Sequence, residues 1–252
     1  MRRSVLLCLC FLCCSLTLGA AQNDINQMRS NVEEGYYAVA VRLGPNLIAN
    51  YPENAEAHYL YSLALYLTGQ NLPLARDTLD KALTLAPDTP EYTRLDGLIK
   101  AREGDTVGAL GALEAAFSGS QRYEVAMDWG RVAWESGNFE EALRAYEAAS
   151  ATERGRAELW PYLNSGRILK SQGDLNAARS VLERAVEVYN AGEPEGVPSP
   201  GYVEAYFRLG EVYEAAGQFE EARTHYQSAA NLDVNYGPAR DALDRLRRRG
   251  FP

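Results

Sequence analysis

Six glycines set the register of this chain. Gly35, Gly69, Gly104, Gly137, Gly173 and Gly217 fall 34, 35, 33, 36 and 44 residues apart. An alanine follows each of them, at Ala40, Ala75, Ala109, Ala142, Ala178 and Ala222. Seven residues further on stands another small or apolar residue: Leu47, Ala82, Ala116, Ala149, Ala185 and Ala229. Seven residues before the last four of these glycines is a further glycine (Gly97, Gly130, Gly166 and Gly210), and Met28 and Ser62 take that place in the first two units. A period in this range marks a chain built from one supersecondary unit stacked on copies of itself.

The spacing inside each period is helical. Tyr206, Leu209, Tyr213 and Ala216 share one face of a helix over 203–216. Gly217 then ends it, because glycine enters the left-handed conformation without steric cost. Asp105, Asn138 and Asp174 follow their glycines where the cap of a second helix belongs. Glu140-Glu141 and Glu220-Glu221 fall in its first turn, where acid complements the helix dipole. Ala222, Tyr226 and Ala229 form the inner face of that second helix. Each unit is thus a helical hairpin with small residues at its crossing point. Alone it cannot bury its apolar face, so neighbours must stack. Three local departures carry expectations of their own. One extra residue falls near Asn71-Leu72-Pro73, and Gly44-Pro45 should break or kink the second helix of the first unit. Residues 191–201, with three prolines and three glycines, read as a loop between units and most simply as a spacer.

Tyr206, Leu209, Gly210, Tyr213, Ala222, Tyr226 and Ala229 resemble the tetratricopeptide repeat signature at its own spacing. Pro52 and Pro87 match the proline that closes such a repeat. The resemblance implies an all-α fold, a right-handed α-solenoid of stacked antiparallel helix pairs. About six units are expected, over 22–54, 55–89, 90–122, 123–158, 159–190 and 203–236. A loop over 191–202 and a capping helix over 237–249 complete the array, with Arg245, Arg247, Arg248 and Arg249 suited to a helix C-terminus.

Residues 1–21 have the order of a secretory signal: Met1-Arg2-Arg3, an apolar run from Val5 to Leu18, then Gly19-Ala20-Ala21. Cleavage is expected near Gln22, with a retained inner-membrane anchor as the alternative. All four cysteines, Cys8, Cys10, Cys13 and Cys14, lie within it. The chain that follows therefore has no disulfide, thiolate metal site or cysteine nucleophile. This reading predicts an exported protein: periplasmic, of the cell envelope, or secreted.

The charge balance argues against nucleic acid as the main partner. Asp and Glu number 34 against 25 Lys and Arg, a net charge of -9, whereas phosphate binding needs a basic face. The two histidines, His58 and His225, have no Ser, Cys or metal-ligand partner at motif spacing. No Gly-x-x-x-x-Gly-Lys-Ser/Thr loop occurs. Adjacent acids such as Glu33-Glu34 do not face each other on a helix. No enzyme, cofactor or metal site is therefore expected, and what remains is a protein-binding surface.

In proteins this chain resembles, the first helix of each unit lines a concave groove. That implies a peptide-binding groove built from Arg94, Met127, Arg131, Trp134, Asn164, Arg167, Lys170 and Arg208, with Glu204, Glu211 and Glu214 near its end. A basic, partly aromatic inner face on an acidic protein would steer an acidic segment of a partner toward it. Trp134 would be its rigid anchor; Trp129 is expected in the core, and Trp160, before Pro161, at a helix start. Some family members hold a C-terminal carboxylate in a clamp of Lys, Asn, Asn, Lys and Arg. The matching places here are Met127, Arg131, Asn164, Glu204 and Arg208, and Met127 and Glu204 depart from that pattern. The expected function is a non-enzymatic adaptor of the cell envelope or exterior that binds a peptide or helix in its groove. The alternative is a membrane-tethered assembly factor for a secretion, pilus or outer-membrane complex, working through its convex face.

Overall fold

The computed structural model describes residues 21–192 and 200–251. Residues 1–20, which carry the signal-peptide reading and the four cysteines, lie outside the described residues, as does the middle of the expected loop, 193–199. Among the described residues there are thirteen α-helices, one short 3-10 turn and no strand. The chain divides at residues 119–120 into two compact units.

The first unit holds three helical hairpins. They are α1 (21–33) with α2 (Tyr37–Asn50), α3 (Ala55–Thr68) with α4 (Leu72–Leu85), and α5 (Pro90–Glu103) with α6 (Thr106–Ser120). The second unit holds α7 (Tyr123–Glu135) with α8 (Phe139–Ala151), α9 (Trp160–Ser171) with α10 (Leu175–Gly192), α11 (Pro200–Ala215) with α12 (Phe219–Leu232), and a last helix, α13 (Gly237–Arg248). The turns inside the hairpins follow from their residues. Gly137 and Gly217 both stand at φ 77°, a conformation that glycine alone adopts freely. The side chains of Asp105, Asn138 and Asp174 then accept the backbone N–H groups of Gly108, Glu141 and Ala177. In the longer turn, Asn71 takes a left-handed conformation of its own at φ 47° and caps α4 through the Leu74 N–H. The extra residue is absorbed there without disturbing either helix.

The crossing point of each hairpin obeys a rule of size. A Cβ on Gly130 would lie 2.5 Å from the Tyr146 ring, and one on Gly210 would lie 2.6 Å from the ring of Tyr226. Gly166 stands in the same way against Leu182, and Gly97 against Leu113. In all four the large partner is sixteen residues on. Where the first place holds Ser62, the residue sixteen on is the small Thr78, and both are buried. Where it holds Met28, 1% exposed, the residue sixteen on is the buried Gly44. In that first hairpin the larger residue of the two places is on the first helix and the smaller on the second.

Gly44-Pro45 does not break its helix, against the expectation of a break there. Helix α2 runs unbroken from Tyr37 to Asn50 with Pro45 inside it. Pro45 has no N–H to offer the Val41 carbonyl, yet Gly44 lets the Tyr61 ring of α3 close onto the α2 backbone. Packing against the next hairpin holds the helix together. The expected loop over 191–202 is also too long. Helix α10 extends through Gly192 and α11 begins at Pro200, so both ends of that segment are helical.

Polar groups replace part of the core between α4 and α5. Asp96 occupies the place before the small residue that Leu209 fills in the last hairpin and is only 9% exposed. It pairs with Arg76 of α4 and with Lys100, Nζ to Oδ2 at 2.7 Å, while Arg76 also reaches Glu103 at 2.9 Å. The rest of the core is mainly apolar, dominated by alanine, leucine and tyrosine, with Asn31, His58, Ser62 and Thr78 also buried. The last hairpin is closed by α13, whose buried Ala242 and Leu246 pack on Ala222 and Tyr226.

Candidate functional site

In the second unit the first helices of successive hairpins, α7, α9 and α11, touch one another through side chains. The Arg167 guanidinium of α9 lies over the Trp134 ring of α7, 4.4 Å from its centroid. Lys170 of α9 meets Glu211 of α11 at 3.0 Å. Seven of the eight expected groove residues are on these three helices: Met127, Arg131 and Trp134 on α7, Asn164, Arg167 and Lys170 on α9, and Arg208 on α11. All but the exposed Arg131 are half-buried. Arg94 lies in the first unit, half-buried on α5. Trp129 is buried and donates its indole N–H to Glu141 at 2.9 Å, and Trp160 opens α9.

The surface is not basic, and this corrects the expectation of a cationic inner face. Arg131 is held by Glu135 at 3.0 Å and Asp128 at 3.4 Å. Arg208 is held by Glu204 at 3.0 Å and Glu211 at 2.9 Å. With Lys170 also on Glu211, four carboxylates answer three cations. The carboxylate clamp fails for the same reason. Glu204 both occupies one donor place and engages the Arg208 that fills another.

Arg167 differs from its neighbours. Among the described residues it forms no ion pair, and its recorded contact is the Trp134 ring. Asn164, one turn earlier on α9, has no side-chain hydrogen bond among the described residues. Beneath them Tyr146 is 1% exposed. Burial pushes its hydroxyl up to about 12, against the opposing pull of the Arg131 and Arg167 charges. The tyrosine therefore stays a neutral donor at the floor of this surface.

The histidines do other work. His58 is buried, with Nε2 on the Pro52 carbonyl at 2.9 Å. His225 of α12 lies flat against Tyr213, ring centroids 5.0 Å apart. Burial holds its pKa below the ordinary imidazole value, despite Glu183 and Glu221. Among the described residues no cluster of three or more His, Cys, Asp or Glu is placed to hold a metal, and no helix is long and apolar enough to cross a membrane.

Comparison with known proteins gives this arrangement a family. One tetratricopeptide repeat profile matches residues 158–233, and a second matches 29–90 and 127–161. Together they span more than half of the 252 residues. The chain belongs to the tetratricopeptide repeat family. Its helix pairs are tetratricopeptide units, and solved structures of the family share the fold. YrrB, described as a tetratricopeptide repeat protein with an unusual peptide-binding site, is 18% identical with a TM-score of 0.61, over 81% of this chain and 100% of that one. PilF of Pseudomonas aeruginosa is 14% identical with a TM-score of 0.66, over 89% and 97%. PilW, described as a widely conserved type IV pilus biogenesis factor, is 13% identical with a TM-score of 0.67, over 89% and 98%. A search by sequence among curated proteins finds no relative.

Proposed function

We propose that this tetratricopeptide repeat protein is a non-enzymatic scaffold of the cell envelope or exterior. It takes an extended segment or helix of a partner protein on the face formed by its first helices. The observation that carries this reading is the Arg167 guanidinium of α9 seated over the Trp134 ring of α7, with half-buried Met127 and Asn164 on the same two helices. Among the described residues Arg167 has no ion pair and Asn164 no side-chain hydrogen bond. Arg131, Lys170 and Arg208 complete the groove of the second unit in this reading, with their charges serving mainly to order the surface, while Arg94 stands on α5 of the first unit. Neither cofactor, metal nor nucleic acid takes part. An origin outside the cytoplasm rests on residues 1–21 acting as a cleaved signal, and the fold shared with PilF and PilW supports it.

Those two neighbours also favour a second reading. The protein would be an assembly factor for a secretion, pilus or outer-membrane complex, tethered by an uncleaved N-terminal segment and contacted on its second helices. A photo-crosslinking amino acid separates the two. At Met127 it samples the first helices; at Glu147 or Glu187 it samples exposed positions on α8 and α10. A discrete cross-linked partner from Met127 alone is the expected result. Cross-links from Glu147 and Glu187 with none from Met127 would move the site to the second helices. Intact mass of the exported chain decides cleavage.

A further inference from the structure

Among the described residues the groove of the second unit has one cation with no carboxylate partner, and its geometry selects a ligand. Arg131, Lys170 and Arg208 are each held by carboxylates of their own surface. Arg167 is held instead by a ring, with its guanidinium 4.4 Å from the Trp134 centroid. An aromatic face fixes a guanidinium without using its N–H groups, which lie in the guanidinium plane and stay free for a planar acceptor. Asn164 stands one turn away on the same helix with its amide uncommitted among the described residues. A charged donor fixed by a ring and an uncommitted neutral amide therefore stand one turn apart on α9.

We propose that Arg167, held by Trp134 and assisted by Asn164, is a receptor for a single carboxylate of the partner segment, an Asp or Glu side chain flanked by residues that are not acidic. The flanks follow from the neighbours. The neighbouring cations are already engaged, Arg131 by Asp128 and Glu135, and Arg208 and Lys170 by Glu204 and Glu211. A second acid in the ligand would meet these carboxylates instead of an open cation, and like charges in contact across an interface are costly. The inference rests on the groove reading above and narrows it. An acidic partner becomes a partner with one acid in one place.

Cross-linking from Met127, which is outside the proposed receptor, tests it in the full chain. Arg167→Ala should cut the yield of the cross-linked species about tenfold or more, the loss of one charge-assisted pair. Arg184→Ala, on the second helix α10 and already paired with Glu187 at 2.9 Å, should leave it within about twofold. Arg167→Lys should restore only part of the yield, since an ammonium cannot bind bidentately. Melting curves establish that each variant is folded. Mass spectrometry of the cross-linked peptide should find one Asp or Glu without an acidic neighbour, and changing it to the amide should reproduce the Arg167→Ala loss. Undiminished yield in Arg167→Ala, or a run of acids in the captured peptide, overturns the inference and leaves the groove reading standing. No cross-link from Met127 in any background overturns the groove reading itself.

Discussion

At the scale of single residues, the hairpins are controlled by what is missing from a glycine. Gly130→Ala places a methyl group 2.5 Å from a ring carbon of the fully buried Tyr146. Neither helix can yield cheaply, so the substitution should cost about 1–3 kcal/mol, read as a lowered midpoint in urea. Gly111→Ala is the control, since a Cβ there meets nothing within 4 Å. This layer was plain in the sequence because its causes are local. Left-handed turns, caps and helix crossings are written in residues close to one another. Gly44-Pro45 misled for the opposite reason: what holds α2 intact is the Tyr61 ring of the next hairpin, which no local pattern announces.

At the scale of elements, charge decides which helices are fastened together. Helix α13 is latched to α11 through Glu214, which accepts hydrogen bonds from Arg245 at 2.7 Å, from Arg249 at 3.3 Å and from the Tyr226 hydroxyl at 2.8 Å. The Arg245 bond first, then that from Tyr226, holds the Glu214 carboxyl below the usual carboxylate range against the effect of burial. A carboxyl lowered in the folded state contributes stability that is present above its unfolded value and is lost as pH falls through the folded one. Amide exchange in α13 should therefore accelerate relative to α11 as pH drops below about 4, after correction for intrinsic rates. Glu214→Gln should remove that pH dependence at a cost of about 1 kcal/mol at neutral pH, both arginines being half exposed. The groove was legible in the same uneven way. Its positions followed from the repeat, and the partners of Arg208 at Glu204 and Glu211 stand within one turn of it. The Lys170–Glu211 pair and the Arg167–Trp134 stack join different helices. Sequence spacing could not show that Arg167, among the described residues, is held by a ring and not by a carboxylate.

At the scale of the whole molecule, order is passed from neighbour to neighbour. In such arrays stability is close to a sum of repeat terms and nearest-neighbour terms. Damage in one hairpin should therefore stay near it. Hydrogen exchange of the Gly130→Ala chain should speed up in α7 and α8, less in α9, and not in α12 or α13. Uniform acceleration through the second unit would mean that its hairpins unfold as one. The sixteen-residue pairs also bear on how such a chain can change over generations. A larger residue at the glycine place is tolerable only after its partner has shrunk, as Ser62 with Thr78 illustrates. The safe mutational path runs through a cavity first and its filling second. Each hairpin can drift only by trading volume between its two helices, so its history should be legible as paired substitutions.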